Sequence, residues 1–237
     1  MKKVLMIIPA YNEEKNIVKV AESINKGESK KYKIDYVIIN DGSTDNTKQV
    51  CIDNNLNFID LPCNLGIGGA VQTGYKYAHY NDYDVAIQFD GDGQHDASYI
   101  EKLVDYIEKG NNLVIGSRFV ADESEFKSTF LRRVGINFLS GLIKLCTGKR
   151  VYDVTSGFRA ADKDLIKYFA FNYPTDYPEP DSLVQVVKRG YKVEEVSVKM
   201  KERQGGTSSI SGFKSIYYMI KVSFAIIIAN ISTKKER

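Results

Sequence analysis

The chain has 237 residues, 43% hydrophobic and 27% charged, with Lys plus Arg at 33 against 30 for Asp plus Glu. That length and balance describe one globular domain with a full core and exclude wholesale disorder, while a net charge of +3 is too small to make nucleic acid the main partner. Cys51, Cys63 and Cys146 form no C-x-x-C pair and are odd in number, which argues against a disulfide framework or a zinc site and points to a reducing, cytosolic setting.

Met1-Lys2-Lys3 and the apolar run at 4–8 mimic a signal peptide, but the run is short and gives way at once to Pro9-Ala10-Tyr11-Asn12-Glu13-Glu14. A first buried strand fits it better. Strand-like runs then alternate with helical patterns: a helix at 14–24, a strand at 36–39, a helix at 44–54, a strand at 57–60, a helix at 69–80, a strand at 85–89, a helix at 97–108 and a strand at 113–115. This is the order of β-α units on a mostly parallel sheet flanked by helices, an α/β fold.

Beyond Arg118 the pattern loosens. A polar stretch at 122–128 precedes a helix at 130–145, read as an inserted element. A proline-punctuated segment at 173–181 leads into a helix at 182–189 and a strand at 192–200. Last comes an apolar helix at 213–232 with Lys214 and Lys221 on one face, ahead of Lys234-Lys235-Glu236-Arg237. Residues 1–210 therefore read as the main domain and 211–237 as a C-terminal amphipathic helix with a basic tail. That helix is expected to lie on an anionic membrane surface, or to pack on the domain or on a partner subunit. No run reaches the roughly 18 apolar residues of a spanning helix.

Sheets of this kind bind ligands beyond the carboxyl ends of their strands, and polar clusters follow four of them. The most telling is Ile87-Gln88-Phe89-Asp90-Gly91-Asp92-Gly93-Gln94-His95, where a buried strand ends in two carboxylates and a carboxamide at alternate positions. Asp90, Asp92 and Gln94 offer hard oxygens of the kind Mg²⁺ and Mn²⁺ prefer, with coordination positions left for substrate. The same residues nearly spell a calcium loop. His95, however, stands where that loop needs its sharply turning glycine, and a strand stands in place of the entering helix. A solvated acidic turn without metal is the plain alternative.

Asp41 follows the strand at 36–39, at a tip where a carboxylate could accept from the N–H of a nucleobase, while Asp45 and Thr47 read as caps of the next helix. Asn64-Leu65-Gly66-Ile67-Gly68-Gly69-Ala70 matches a dinucleotide loop only loosely, and no G-x-x-x-x-G-K-[ST] loop exists. Arg118 and Arg203 are candidates for binding a diphosphate. The Gly205-Gly206-Thr207-Ser208-Ser209 stretch reads as a loop able to close over a ligand, with Ser209 a candidate substrate contact. Glu179 and Asp181, between stiffening prolines, are the candidates for a general base; a rigid surface turn is the alternative.

Taken together, Ile8-Pro9-Ala10-Tyr11-Asn12-Glu13-Glu14, Asn40-Asp41-Gly42-Ser43-Thr44-Asp45, Asp90-Gly91-Asp92-Gly93-Gln94-His95, Gly116-Ser117-Arg118 and Ser156-Gly157-Phe158-Arg159 resemble the family-2 glycosyltransferases, notably their dolichyl-phosphate mannose synthase-like branch. The resemblance implies the GT-A (Rossmann-like) form of the α/β sheet and an inverting transfer from a nucleotide-diphosphate sugar, with UDP-sugar favoured and GDP- or dTDP-sugar as other donors. It implies Pro9, Tyr11, Glu13 and Asp41 around base and ribose, Mg²⁺ or Mn²⁺ on Asp90, Asp92 and Gln94, and Arg118 and Arg203 near the phosphates. The chain has no Trp and so lacks the Gln-x-x-Arg-Trp motif of the processive synthases, which favours single-sugar addition. The expected acceptor is a polyprenyl phosphate or lipid-linked glycan in cell-surface glycan synthesis, at the inner face of the cell membrane, with a homo-oligomer or a membrane partner subunit as further partners. The rival classes are a sugar nucleotidyltransferase and a non-catalytic nucleotide-sugar-binding subunit.

Overall fold

The structure is a computed structural model that describes residues 1–25, 29, 31–120, 130–200 and 213–233, with side chains from residue 133 in the fifth helix and from 217 in the last. Its strands are β1 (Lys2–Ala10), β2 (Tyr32–Asn40), β3 (Phe58–Asp60), β4 (Val85–Gln88), β5 (Leu113–Ser117), β6 (Arg159–Asp162) and β7 (Val193–Ser197). The helices are α1 (Ile17–Asn25), α2 (Thr47–Asp53), α3 (Gly66–Tyr80), α4 (Ile100–Glu108), α5 (Phe130–Thr147), α6 (Lys163–Asn172), α7 (Pro178–Lys188) and α8 (Phe213–Ser232).

The strands form one seven-stranded sheet in the order β3-β2-β1-β4-β6-β5-β7, parallel except for β6. β1 is apolar and buried from Val4 to Ala10 because helices cover both of its faces. Alternate residues serve the two sides. Leu5 and Ile7 join α3, α5, α6, α7 and α8 in one core, while Val4, Met6 and Ile8 join α1, α2 and α4 in the other. Each such side chain contributes about 2 kcal/mol by leaving water.

Two elements differ from the sequence expectation by their absence from it. β6 is Arg159-Ala160-Ala161-Asp162, with a charge at each end and alanine between, a composition that carries little strand signal. It forms because β4 and β5 pair with it from both sides. Asp162 then caps α6, its side chain accepting from Leu165 N at 2.9 Å. The segment at 178–181 is corrected from a stiff loop to the first turn of α7. Tyr177 turns the chain with a left-handed φ of 49°, and Pro178 then starts the helix, where its missing N–H costs nothing. The glycine-rich 66–69 segment likewise belongs to the first turn of α3.

Candidate active site

The loops after β1 and β2 are built as one piece. Asn12, held at a left-handed φ of 57°, receives Thr44 N at 2.9 Å and Asp45 N at 3.3 Å on its Oδ1, while its own N–H donates to Ser43 Oγ at 3.0 Å. Glu13 N donates to Thr47 Oγ1 at 2.9 Å and Asn46 N to Glu14 Oε2 at 3.0 Å. Asp45 Oδ1 accepts from Thr47 N in a turn just before α2, but the N-cap itself is Asn46, whose side chain makes no cap hydrogen bond, so Asp45 and Thr47 are not the caps expected, and the Thr47 hydroxyl serves the neighbouring loop. Asp41 is 3% exposed; its N–H reaches Ala10 O, and its Oδ1 accepts from Leu65 N at 2.7 Å. Gly42 makes that turn possible: its φ is +61°, and a Cβ there would stand 2.7 Å from Asn64 N.

The tip of β4 abuts this assembly. A Cβ on Gly91 would lie 3.0 Å from the Pro9 carbonyl and 3.6 Å from Glu13 Cγ, so Pro9, Glu13 and the Asp90 loop converge. Tyr11 projects beside them, 49% exposed. Asp92 is buried and closes an Asx turn, its Oδ1 accepting from Gln94 N at 3.0 Å across Gly93 at φ +76°. His95 is buried, stacked on Phe158 with centroids 4.8 Å apart. Burial pushes its imidazole down to about 4, against an opposing pull from Asp92, so it is neutral at pH 7. Its Nδ1 accepts from Asp90 N at 3.0 Å, which leaves the ring proton on Nε2, 3.5 Å from Asp90 Oδ2.

The opposite side of Asp90 is closed by the predicted candidate Glu179, through Gln88 and Arg159, which stand in the sequence motifs without a role assigned to them. Gln88, buried at the end of β4, donates from Nε2 to Asp90 Oδ1 at 3.3 Å and to Glu179 Oε1 at 3.5 Å. Arg159 Nη1 donates to the Glu179 carbonyl at 2.7 Å and holds the first turn of α7 in place. The structure thereby separates the two candidate bases. Glu179 faces Asp90 across one amide, whereas the Asp181 carboxylate takes Gln185 Nε2 at 2.7 Å along its own helix. Burial raises the proton affinity of both, opposed by Arg159 at Glu179 and by Gln185 at Asp181. Contacts between residues 91 positions apart leave no trace in local spacing.

Asp90, Asp92 and Gln94 carry oxygens of the hard type that small divalent cations take. A Cβ on Gly157 would stand 3.0 Å from each Asp90 oxygen and 2.8 Å from Gln88 Nε2, so this glycine keeps side-chain atoms off the carboxylate. Among the described residues no three His, Cys, Asp or Glu side chains gather where they could hold a metal ion; a cation here would draw oxygens from elsewhere as well.

Arg118 is 6% exposed and bound to Asp153, with Nε to Oδ2 at 2.8 Å and Nη2 to Oδ1 at 2.7 Å, and it also reaches Thr155. This bidentate pair matches its charge within the protein and secures the 153–158 loop behind His95. Arg203 and Ser209 lie outside the described residues.

α8 packs on α5 and α7 and buries Val222, Ile226 and Ala229 in the core. Its other side exposes Tyr217, Ile220, Phe224, Ile228 and Ile231, next to Val134 and Phe138 of α5. An apolar groove of about 300 Å³ runs between the two helices. Among the described residues no helix is long and apolar enough to cross a membrane.

Comparison with known proteins agrees with this geometry. A family model described as glycosyl transferase family 2 matches residues 6–169. A UDP-N-acetylglucosamine–dolichyl-phosphate N-acetylglucosaminyltransferase of Methanococcus voltae is 32% identical over 92% of this chain and 95% of its own. A dolichyl-phosphate beta-glucosyltransferase of Trichomonas vaginalis is 31% identical over 88% of this chain and 69% of its own. Among solved structures, glucosyl-3-phosphoglycerate synthase of Mycobacterium tuberculosis, in complex with Mn²⁺, UDP and phosphoglyceric acid, superposes with a TM-score of 0.73. It covers 98% of this chain and 79% of its own at 18% identity, a likeness of fold.

Proposed function

This chain belongs to glycosyl transferase family 2, in the dolichyl-phosphate mannose synthase-like branch, and from that premise we propose a non-processive, inverting transfer of one sugar from a nucleotide-diphosphate sugar, UDP-sugar foremost, to a polyprenyl-phosphate or lipid-linked glycan acceptor. The observation that carries this reading is the pair of facing groups at the sheet edge, Asp90 and Asp92 on one side and Glu179 on the other, joined through Gln88. The Methanococcus voltae relative, named for a UDP-sugar donor and a dolichyl-phosphate acceptor, supports both substrate classes.

In this reading the interlocked loops after β1 and β2 receive the nucleoside. Tyr11 offers an exposed ring to the base, Asp41 a carboxylate already oriented by Leu65 N, and Pro9 and Glu13 the wall beside the ribose. Asp90, Asp92 and Gln94 would hold Mg²⁺ or Mn²⁺, which when bound neutralises charge on the diphosphate leaving group. His95 and Gln88 keep the Asp90 oxygens aimed. Arg203 and Ser209 add a cation and a hydroxyl to the phosphates. Glu179, whose half-buried carboxylate has a raised proton affinity, takes the proton of a hydroxyl acceptor. A lipid phosphate is already anionic and needs only to be positioned. The apolar side of α5 and α8 lies against the inner face of the cell membrane. Their sequences contain Arg132, Arg133, Lys144, Lys214 and Lys221 and no Asp or Glu, a charge pattern that favours anionic lipid.

The test incubates the purified protein and Mn²⁺ with UDP-, GDP- and dTDP-sugars and a short polyprenyl phosphate, and follows nucleotide release and glycolipid formation. The wild type transfers sugar from one donor class, and Asp92→Ala loses at least ~10²-fold in turnover. Donor binding with turnover equal in wild type and variant would instead indicate a binding subunit. Pyrophosphate release from a nucleoside triphosphate and a sugar phosphate would indicate a nucleotidyltransferase.

A further inference from the structure

Gln88 closes β4 and is 1% exposed. Its carboxamide meets three groups at once. Nε2 donates to Asp90 Oδ1 and Glu179 Oε1, and Oε1 accepts from the buried Tyr173 hydroxyl at 3.3 Å. An amide nitrogen has two hydrogens, one for each carboxylate, and the tyrosine decides which end of the amide faces them. Reversed, the amide would set its oxygen against two carboxylates. The backbone around it is fixed as well: Arg159 of β6 stands opposite Gln88 in the antiparallel register and holds the Glu179 carbonyl. The two carboxylate contacts, 3.3 and 3.5 Å, are long, as catalytic hydrogen bonds often are before substrate closes on them.

We propose that Gln88 is a positioning residue that couples the two halves of the site: its single amide nitrogen fixes the separation and orientation of the Asp90 and Glu179 carboxylates, with Tyr173 setting the sense of the amide. The proposal rests on the roles given to Asp90 and Glu179 above. Without the shared donor, two carboxylates at the same half-buried edge repel each other, and Glu179 turns away from the acceptor while Asp90 keeps its tie to His95.

The decisive set is Gln88→Met, which keeps volume and apolar packing but removes the amide, Glu179→Gln, and the double variant. Steady-state kinetics are read beside calorimetry of Mn²⁺ and UDP binding and thermal unfolding of the ligand-free protein. Gln88→Met is expected to lower kcat ~10- to 100-fold and to shift Mn²⁺–UDP affinity by less than ~3-fold, and the double variant is expected to be no slower than Glu179→Gln alone. In unfolding, Gln88→Met lowers Tm by roughly 4 °C, and Glu179→Gln restores about half of that because a neutral amide does not repel Asp90. Losses that multiply in kcat, Tm changes that simply add, or an unchanged Gln88→Met kcat overturn the proposal. A wild type that transfers no sugar overturns the proposed function instead, and the unfolding cycle then decides the role of Gln88 by itself.

Discussion

The polar loops at the sheet edge and the face formed by α5 and α8 are built on opposite principles. Around the loops after β1, β2 and β4, almost every polar side chain holds a neighbouring backbone group: Asn12 holds Thr44 and Asp45, Thr47 holds Glu13, Asp41 holds Leu65, and His95 holds Asp90. The side formed by α5 and α8 is apolar and largely without such ties, with Phe224 at 60% and Ile231 at 78% exposure. A rigid polar cradle binds a ligand of fixed shape, because the ordering cost is met during folding. An open apolar face suits a partner without fixed shape. The two regions should therefore respond differently to substitution.

The sharpest contrast is expected at Gly157. Gly157→Ala places a methyl group 3.0 Å from both Asp90 oxygens, and displacement of that carboxylate should cost at least ~10²-fold in kcat, while circular dichroism reports an unchanged fold. Next comes the apolar face. Phe224→Asp with Ile228→Asp should lower co-sedimentation with phosphatidylglycerol vesicles about 30-fold and leave Tm and turnover on a water-soluble acceptor analogue within error. Unaltered sedimentation would remove the membrane from the picture. Smallest in its effect on function, and largest in its effect on stability, is Asn12→Ala. It loses the bonds to Thr44 and Asp45 and keeps a left-handed backbone, at a cost of about 3 kcal/mol. Calorimetry should show Tm lower by about 8 °C, with kcat within ~3-fold once substrate is saturating. Asn12→Gly should recover about a third of that loss, because glycine tolerates the φ.

The cradle was legible in the sequence and much of the facing side was not, for a physical reason. A strand buried on both faces leaves a continuous apolar run, as β1, β2 and β4 do, and a parallel sheet places the polar residues after each run at one edge. Asp41, Asp90, Asp92 and Gln94 could be picked out from that alone. β6 offers only two alanines between charges, so both the strand and the α6 cap that follows it stayed hidden. Glu179 and Asp181 looked equivalent along the chain. Only tertiary packing turns one toward Gln88 and the other toward Gln185. The pairing of Arg118 with Asp153 was equally hidden, because the two lie 35 residues apart.

The reversed direction of β6 has a consequence for how this architecture tolerates change. Because β6 lies between them, the tips of β4 and β5 stand roughly 10 Å apart. The chain entering β6, not the chain leaving it, fills that gap, with Phe158 stacked on His95 and Asp153 clasping Arg118. The two ends of one short strand thus have unequal freedom. Extra residues between Asp162 and Lys163 would lengthen a corner remote from the chemistry, whereas a single residue inserted among 153–158 would shift the back wall of the cradle. Variation in specificity can accumulate along the exposed side of α5 and α8 without disturbing that wall, which makes the approach to β6 a fixed frame on which acceptor surfaces can be exchanged.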